Sequence, residues 1–365
     1  MKSLLLALLL AVACHRQGPV LLAGGTAPPP TPAARPAARA PVGVRKLPLP
    51  DGGRRLAVTI WYPAAEDAVE TTISWDGIFP GSAAEDAPLL GTSQRFPLLL
   101  LSHGSGGDGS NLVWLAEALA SHGYVAAAVD HPGDRLGDYS VEGRLAVWRR
   151  AQDVTDSLTR LLADPTFGPR IDRRRIAAAG HSSGGLTVLL LAGARFRPEA
   201  YLASCRGKNV GPDCAMVSGV DTTKLPEVAA ASTSHRDRRI RAVVAMAPVM
   251  GPGVTAASLR SIAIPVLVFG SPTDELVPFR TNAASYARRI PRARLVTIPD
   301  AGHMVFMPVC SEPGPIVAAE VCNDRIPAVD RAAVHATAIE QTIPFLDRAL
   351  GVPAHGPSIK AAARP

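Results

Sequence analysis

The chain has 365 residues, of which 47% are hydrophobic and 19% charged, so it can form a sizeable buried core and is not a disordered protein. The excess of 38 Lys and Arg over 31 Asp and Glu gives a formal net charge of +7. The basic residues are mostly arginines scattered through Ala- and Pro-rich stretches, without a cluster interleaved with aromatic residues. We therefore expect no nucleic-acid partner.

The N-terminal sequence MKSLLLALLLAVAC places one lysine before an apolar run that ends in small residues and Cys14. The run is too short to span a bilayer as a helix but is typical of a signal peptide, so residues 1–14 are predicted to direct export. Small residues before a cysteine resemble a bacterial lipoprotein signal, in which Cys14 would carry the lipid. The protein would then be periplasmic or a membrane-anchored lipoprotein. Free secretion, with cleavage near Ala23, is the alternative.

The rest of the chain divides by composition. Residues 15–50 are rich in Pro and Ala without apolar periodicity, which predicts a semi-extended linker. Residues 51–352 are predicted to form the folded domain, and residues 353–365 a polar tail. Folded sequence is expected to begin near Arg54, where RRLAVTIWYPA is rich in Val, Ile and aromatic residues and predicts an edge strand.

Short apolar runs then alternate with segments of helical periodicity. The runs cover residues 97–102, 124–130, 175–180, 240–247, 265–270 and 294–298. The helical segments cover residues 111–121, 145–163, 186–194, 281–289 and 329–350. Strands that are apolar on both faces need helices on both sides, so the alternation predicts an α/β fold with a mostly parallel central sheet.

Two segments interrupt this alternation, and each contains two cysteines. Residues 195–239 are polar and predict an insertion that projects over the sheet as a cap or lid. Residues 304–324 form the second interruption. Three pairings of the four cysteines are possible; in an oxidising compartment we favour the local ones, Cys205 with Cys214 and Cys310 with Cys322. No C-x-x-C or nearby histidine supports a zinc site, so no metal or other cofactor is expected.

The strongest chemical signal is Gly180-His181-Ser182-Ser183-Gly184-Gly185, which follows the strand RIAAA and precedes the helix LTVLLLA. A G-x-S-x-G sequence in a strand-to-helix turn is a nucleophile elbow, in which the serine is held in strained backbone with its hydroxyl exposed. We therefore identify Ser182 as the candidate nucleophile. The alternative interpretation is an ordinary Gly/Ser turn.

A serine nucleophile needs a base and an orienting carboxylate, which follow it in this type of fold in the order acid, then histidine. Four histidines follow Ser182, and His303 is the one in a turn after the last strand; the alternative is a surface histidine. The predicted acid is Asp274, in the loop after the strand PVLVFG, or else this residue caps the next helix. Its rivals are the adjacent Glu275, expected to point elsewhere, and Asp300.

An oxyanion intermediate needs two preorganised N–H donors. One is expected from Ser183 and the other from Ser105, in the glycine-rich loop SHGSGG after the first core strand. A phosphate-binding loop is excluded there because the G-K-[ST] ending is missing. His103 and His131 precede Ser182 and are expected to be structural.

Five segments of the chain carry a family resemblance: SHGSGG, ASHGYVAAAVDHPG, RIAAAGHSSGG, PVLVFGSPTDELVP and AGHMVFMPVC. They resemble α/β-hydrolases of the predicted dienelactone hydrolase group, which is related to platelet-activating-factor acetylhydrolases, over roughly residues 54–350. The resemblance implies an α/β-hydrolase fold, a metal-free Ser-His-Asp triad and activity on carboxylic esters with short or modified acyl groups. Its motifs place the nucleophile on Ser182, the histidine on His303 and the oxyanion donors on Ser105 and Ser183.

The chain departs from these families in two places. Dienelactone hydrolases use a cysteine nucleophile, where this sequence has Ser182. The acetylhydrolases take their acid from the strand after the nucleophile's helix, where this sequence reads Ala245-Met246-Ala247-Pro248. Asp274 is therefore expected to serve, and neither lactone opening nor phospholipid specificity is carried over.

The sequence thus predicts an exported serine hydrolase that cleaves small-molecule carboxylic esters through an acyl-enzyme on Ser182. A peptidase of the prolyl-oligopeptidase type shares the triad order, but the chain has no room for a propeller. A non-catalytic surface binding protein that retains the fold is the other alternative. A lipid on Cys14 is the one membrane contact expected, and the oligomeric state is not predicted.

Overall fold

The structure, a computed structural model, describes residues 40–353 except 50–53, 92, 94, 208–210 and 325–328. The predicted signal segment 1–14, residues 15–39 of the predicted linker and residues 354–365 of the predicted tail lie outside the described residues. No helix within the described ranges is long and apolar enough to cross a membrane.

The apolar runs of the sequence form strands. The strands are β1 (Val42–Leu49), β2 (Leu56–Pro63), β3 (Thr71–Trp75), β4 (Phe79–Glu85), β5 (Phe96–Ser102), β6 (Val125–Val129), β7 (Asp134–Arg135), β8 (Asp138–Tyr139), β9 (Ile171–His181), β10 (Ile240–Met246), β11 (Val266–Gly270) and β12 (Ala293–Thr297). Each of the six predicted runs falls on one of β5, β6, β9, β10, β11 and β12.

Ten of these strands form one sheet in the order β12-β11-β10-β9-β5-β6-β2-β1-β4-β3. The six strands from β12 to β6 are all parallel, which confirms the predicted parallel core. β2 pairs antiparallel with both β6 and β1. Strands β7 and β8 form a separate small hairpin.

The segments with helical periodicity form helices. The α-helices are α1 (Val113–Ser121), α2 (Val141–Leu145), α3 (Val147–Leu161), α4 (Ser183–Ala192), α5 (Pro198–Ser204), α6 (Val228–Ala231), α7 (Ala256–Arg260), α8 (Ala283–Arg289), α9 (Gly314–Val317), α10 (Ala319–Cys322) and α11 (Arg331–Leu350).

Helices cover both faces of the sheet, as the continuous apolar strands require. In β5, Leu98 and Leu100 join the core that α3, α4 and α8 cover, whereas Leu99 and Leu101 join the core under α1 and α11. Successive side chains of a strand point to opposite faces, so this single strand contributes to both cores. The carboxyl ends of the parallel strands therefore lie together at one edge of the sheet.

The N-terminal part of the sheet differs from the expectation in two ways. β2 is not an edge strand, because β1 pairs with it on the side away from β6. β1 lies inside residues 15–50, so the predicted linker is wrong for Val42–Leu49. These residues form a strand whose apolar side chains Val42, Val44 and Leu49 are buried. The pattern is short, and the Pro- and Ala-rich composition of residues 15–50 outweighed it in the prediction.

The two cysteine-containing interruptions are closed by local disulfides, Cys205–Cys214 and Cys310–Cys322, which confirms the favoured pairing. The insertion of residues 195–239 has some helical structure of its own, including α5 and α6. The insertion contacts the loop after β11: the amide of Asp213, in the insertion, donates to the carbonyl of Leu276, in the loop, at 3.2 Å. Its role as a lid stays a prediction.

Candidate active site

Ser182 lies in a sharp turn between β9 and α4, with φ 56° and ψ −118°. This backbone region is sparsely populated for residues other than glycine, so the turn must be held by its surroundings. The amide of Ser182 donates to the carbonyl of Met246 on β10 at 2.9 Å. A Cβ on Gly180 would collide with the carbonyl of Gly184, and one on Gly184 with the carbonyl of Ser102. Both glycines of the G-x-S-x-G motif are therefore needed for close backbone packing.

The structure brings Ser182, His303 and Asp274 into one hydrogen-bonded chain. His303 Nε2 lies 2.9 Å from Ser182 Oγ, and His303 Nδ1 lies 2.9 Å from Asp274 Oδ2. Asp274 Oδ1 accepts the amides of Leu276 and Val277 at 3.0 and 2.7 Å, so the carboxylate is held by its own loop. Because a carboxylate can only accept, Nδ1 carries the proton and Nε2 is free to accept from the serine hydroxyl.

Glu275 also contacts the histidine, which the sequence interpretation missed. Its Oε2 accepts the backbone amide of His303 at 3.0 Å, so the expectation that Glu275 points elsewhere is wrong. Two adjacent carboxylates thus hold His303, one at the ring and one at the main chain. The other rival, Asp300, is exposed and has φ 50°.

The segment that carries His303 is fixed on its far side by two aromatic residues from helices. Trp114 of α1 donates from Nε1 to the carbonyl of Phe306 at 2.9 Å, and His335 of α11 lies 3.1 Å from the carbonyl of Val305 through Nε2. The rings of Trp114 and His335 stack with centroids 4.2 Å apart. Two helices of the same sheet face therefore determine where His303 lies.

His181, which precedes Ser182 in the G-x-S-x-G motif, contacts the same histidine. Its Nε2 lies 3.0 Å from the carbonyl of His303, and the two rings are 4.9 Å apart. Because a carbonyl only accepts, Nε2 of His181 must carry its proton. Burial, reinforced by the neighbouring His303, holds the pKa of His181 well below its usual value, so the ring is neutral.

The two predicted oxyanion donors both lie near Ser182. Ser183 is the first residue of α4, where an amide has no acceptor within the helix. Ser105 lies in the loop after β5, which passes so close that a Cβ on Gly104 would be 3.5 Å from the Cβ of Ser182. The amide of Ser105 has no hydrogen bond to any described residue, whereas its hydroxyl donates to Asp134 Oδ1 at 2.5 Å.

His103 and His131 lie behind this loop and do not face Ser182. His103 Nδ1 is 2.6 Å from the carbonyl of Gly104, and its Nε2 accepts the amide of His131 at 3.3 Å. Burial and the charge of Arg150 hold the pKa of both histidines well below the usual value. Their neutral, hydrogen-bonded rings fit the structural role expected for them.

A second Ser-His-Asp chain exists beneath the loop. Ser102 Oγ lies 2.9 Å from His131 Nε2, and His131 Nδ1 lies 3.1 Å from Asp153 Oδ2. All three residues are at most 1% exposed, so a substrate cannot reach Ser102. Ser182 is only partly buried, so of the two serines its hydroxyl is the one that a substrate can reach, and the chain through Ser102 is part of the scaffold.

No group of three or more His, Cys, Asp or Glu residues suited to a metal ion occurs in the part of the chain that the structure describes. All four cysteines beyond Cys14 are in disulfides. Ser182, Asp274 and His303 each follow the carboxyl end of a parallel strand, where functional loops of open α/β sheets lie.

Comparison with known proteins gives matches over this region. A model of the alpha/beta hydrolase family matches residues 98–319, which include the five predicted site residues. Cutinase est2 of Thermobifida alba is 34% identical over 105 residues, covering 28% of this chain and 32% of that protein. Platelet-activating factor acetylhydrolase of Cavia porcellus is 27% identical over 141 residues, covering 27% of this chain and 32% of that protein. The chain thus spans about a third of the length of these curated relatives.

A solved structure is similar over nearly the whole chain. The ferulic acid esterase from Streptomyces cinnamoneus has a TM-score of 0.57 and 23% sequence identity, covering 91% of this chain and 95% of that one. At this identity the similarity establishes a shared fold.

Proposed function

This chain belongs to the alpha/beta hydrolase family, and from that premise we propose that it hydrolyses carboxylic esters through an acyl-enzyme on Ser182. The observation that carries the proposal is the chain of two 2.9 Å contacts from Ser182 Oγ through the His303 ring to Asp274. A serine hydroxyl is a weak nucleophile, and this arrangement supplies the base it needs.

In the acylation half-reaction, Ser182 Oγ attacks the ester carbonyl carbon while His303 Nε2 takes the hydroxyl proton. Asp274 keeps the ring in the required tautomer and stabilises the imidazolium that forms. The carbonyl oxygen becomes an oxyanion, which the amides of Ser105 and Ser183 stabilise. When the intermediate collapses, His303 gives its proton to the departing alcohol, which leaves the acyl group on Ser182.

Deacylation repeats these steps with water as the nucleophile. His303 takes a proton from water as the oxygen attacks the acyl carbon, and the same two amides stabilise the second oxyanion. Return of the proton to Ser182 releases the carboxylic acid. No group beyond the protein and water enters either half-reaction.

An ester carbonyl is favoured over a peptide by the proteins to which the chain is similar. Their names include cutinase, acetylhydrolase and ferulic acid esterase. The resemblance to dienelactone hydrolases and acetylhydrolases favours short or modified acyl groups within this class. The intact hydrogen-bonded chain at Ser182 argues against a non-catalytic binding protein.

We further infer that the protein is exported and that Cys14 carries a lipid. The two disulfides favour an oxidising compartment, which in bacteria lies outside the cytoplasm. Mass spectrometry of the mature N-terminus tests this: a diacylglycerol mass on Cys14 is expected. An unmodified N-terminus further along the chain would contradict the lipid, and an uncleaved N-terminus would contradict export.

The direct test is Ser182→Ala assayed with p-nitrophenyl acetate. We expect hydrolysis to fall at least about a thousandfold, because the nucleophile is lost while the fold remains. Ser121→Ala, at the end of α1, is the matched control and should keep full activity and the same circular dichroism spectrum. Retained activity in a folded Ser182→Ala variant would contradict the proposal.

A further inference from the structure

A buried guanidinium lies directly behind the proposed oxyanion hole. Arg150 of α3 is 1% exposed, and its Nη1 donates to Asp134 Oδ2 at 2.6 Å. Its Nη2 donates to the carbonyl of His103 and to Ser102 Oγ, and its Nε donates to Thr187 Oγ1. Arg150 thus contacts both the loop that carries Ser105 and the helix α4 that follows the nucleophile.

Asp134 continues this connection to the donor itself. The residue is 2% exposed, and its Oδ1 accepts the hydroxyl of Ser105 at 2.5 Å and the amide of Gly106 at 3.1 Å. The Ser105 side chain is thereby drawn toward Asp134. Its hydroxyl is occupied, and the amide that has no partner among the described residues remains available for a substrate oxygen.

Stability alone does not account for such a pair. Removing two charges from water costs several kcal/mol, and replacing a buried ion pair by apolar side chains is often neutral or stabilising. An ion pair with arginine instead fixes the orientation of the groups around it, because the planar guanidinium has donors at fixed angles. Here those donors contact a carboxylate, a carbonyl and two hydroxyls, which together define the path of residues 102–106 relative to α4.

We propose that Arg150 and Asp134 are positioning residues that hold the Ser105 amide where the oxyanion forms. The inference rests on the proposed function. In a hydrolase, the distance between the amides of Ser105 and Ser183 must match one developing oxygen, and those amides belong to separate elements. Arg150 contacts both elements, so its ion pair with Asp134 sets that distance.

The experiment compares Ser105→Ala and Asp134→Asn with wild type in hydrolysis of p-nitrophenyl acetate. Ser105→Ala keeps the backbone amide and removes only the hydroxyl that reaches Asp134. Asp134→Asn removes the charge that pairs with Arg150. Active sites are counted by fluorophosphonate titration, so that misfolded protein does not enter kcat.

Both variants are expected to lose about tenfold in kcat with KM within twofold, because the oxyanion hole acts on the transition state rather than on the bound ester. Inhibition by a trifluoromethyl ketone, which forms a tetrahedral adduct, should weaken by the same factor. The matched control is Asp237→Asn, which breaks a partly buried ion pair with Arg239 elsewhere and should leave kcat unchanged.

A kcat change below threefold in Ser105→Ala, or a loss carried by KM, would overturn the inference. Ser105→Ala decides the matter alone if Asp134→Asn does not fold. Failure of the proposed function has a different result, namely a wild-type protein that does not hydrolyse the ester. A wild type that is active, with an inactive Ser182→Ala and an unaffected Ser105→Ala, would reject only the positioning role.

Discussion

At the scale of single residues, the adjacent carboxylates of Asp274 and Glu275 both hold His303, but at different atoms. Asp274 contacts the His303 ring, and Glu275 contacts its backbone amide. The sequence favours Asp274 over its rivals Glu275 and Asp300 as the orienting acid. Asp274 is the carboxylate on Nδ1, which is the position that can fix the tautomer of the ring.

Asp274→Asn should therefore lower kcat for p-nitrophenyl acetate by about a thousandfold or more, because the amide no longer selects the required tautomer. Glu275→Gln should stay within about threefold of wild type, because its amide oxygen can still accept the His303 amide. Steady-state kinetics of the two variants side by side checks this. Equal losses would mean that the charge of Glu275 contributes as much as that of Asp274.

The sequence leads to the three residues of the proposed triad, but not to the residues that we propose position the oxyanion donor. Chain order and the carboxyl ends of parallel strands lead to Ser182, Asp274 and His303 without coordinates. Arg150 and Asp134 belong to no motif, because their partners come from separate elements. One signal was available: Arg150 follows Val147 by three residues and precedes Val154 by four, which places an arginine on the apolar stripe of α3.

At the scale of elements, the elbow between β9 and α4 depends on the absence of side chains. A Cβ on Gly184 would collide with the carbonyl of Ser102 and would also press on the carbonyl of His103. Both carbonyls belong to the strand and loop that lead to Ser105, the proposed oxyanion donor. The helix and the loop can therefore lie against each other only if residue 184 is glycine.

Gly184→Ala should lower the free energy of unfolding by about 2–4 kcal/mol, as overpacking against backbone does, and should lower kcat as well. Gly91→Ala is the matched control, because nothing lies within 4 Å of its Cβ position. Urea unfolding measures both variants. If Gly184→Ala were as stable as Gly91→Ala, the close packing of helix and loop would be refuted.

The elements that the sequence predicts best are those with the plainest pattern. The six apolar runs form the six parallel strands. Four of them, β5, β6, β10 and β11, are buried along nearly their whole length, which leaves little room for polar residues. The prediction of β2 as an edge strand was wrong because its neighbour β1 was not recognised as a strand. β1 lies in Pro- and Ala-rich sequence, which was predicted to be a linker. β3 and β4, which are partly exposed, carry too weak a pattern to be predicted.

At the scale of the whole molecule, stability depends on pH through Glu117 and His335, two groups that take no direct part in the proposed chemistry. Burial, with repulsion from Glu70, raises the pKa of Glu117 to about 7, although the Ser82 amide opposes this. A carboxyl with a raised folded-state pKa contributes stability below its usual pKa of about 4.5, which is lost as pH rises through 7. Burial lowers the pKa of His335 to about 4, so its effect is opposite and destabilises the fold as pH falls from 6.5 to 4.

Glu117→Gln should therefore have a higher melting temperature than wild type at pH 8.5 and nearly the same melting temperature at pH 4, below the unfolded-state pKa. Glutamine is neutral at both pH values, and its amide oxygen can still accept the amide of Ser82, which Glu117 accepts at 2.8 Å. Thermal unfolding of both proteins at the two pH values is the measurement. A difference independent of pH would show that burial of the charge is not the cause.

The central claim is that Ser182 is the catalytic nucleophile. The most direct test is to label the folded wild-type protein with a fluorophosphonate and to map the adduct by mass spectrometry. We predict one adduct, on the peptide that contains Ser182, and none in Ser182→Ala. A protein that hydrolyses esters but carries the label on another residue, or carries none, would contradict the account.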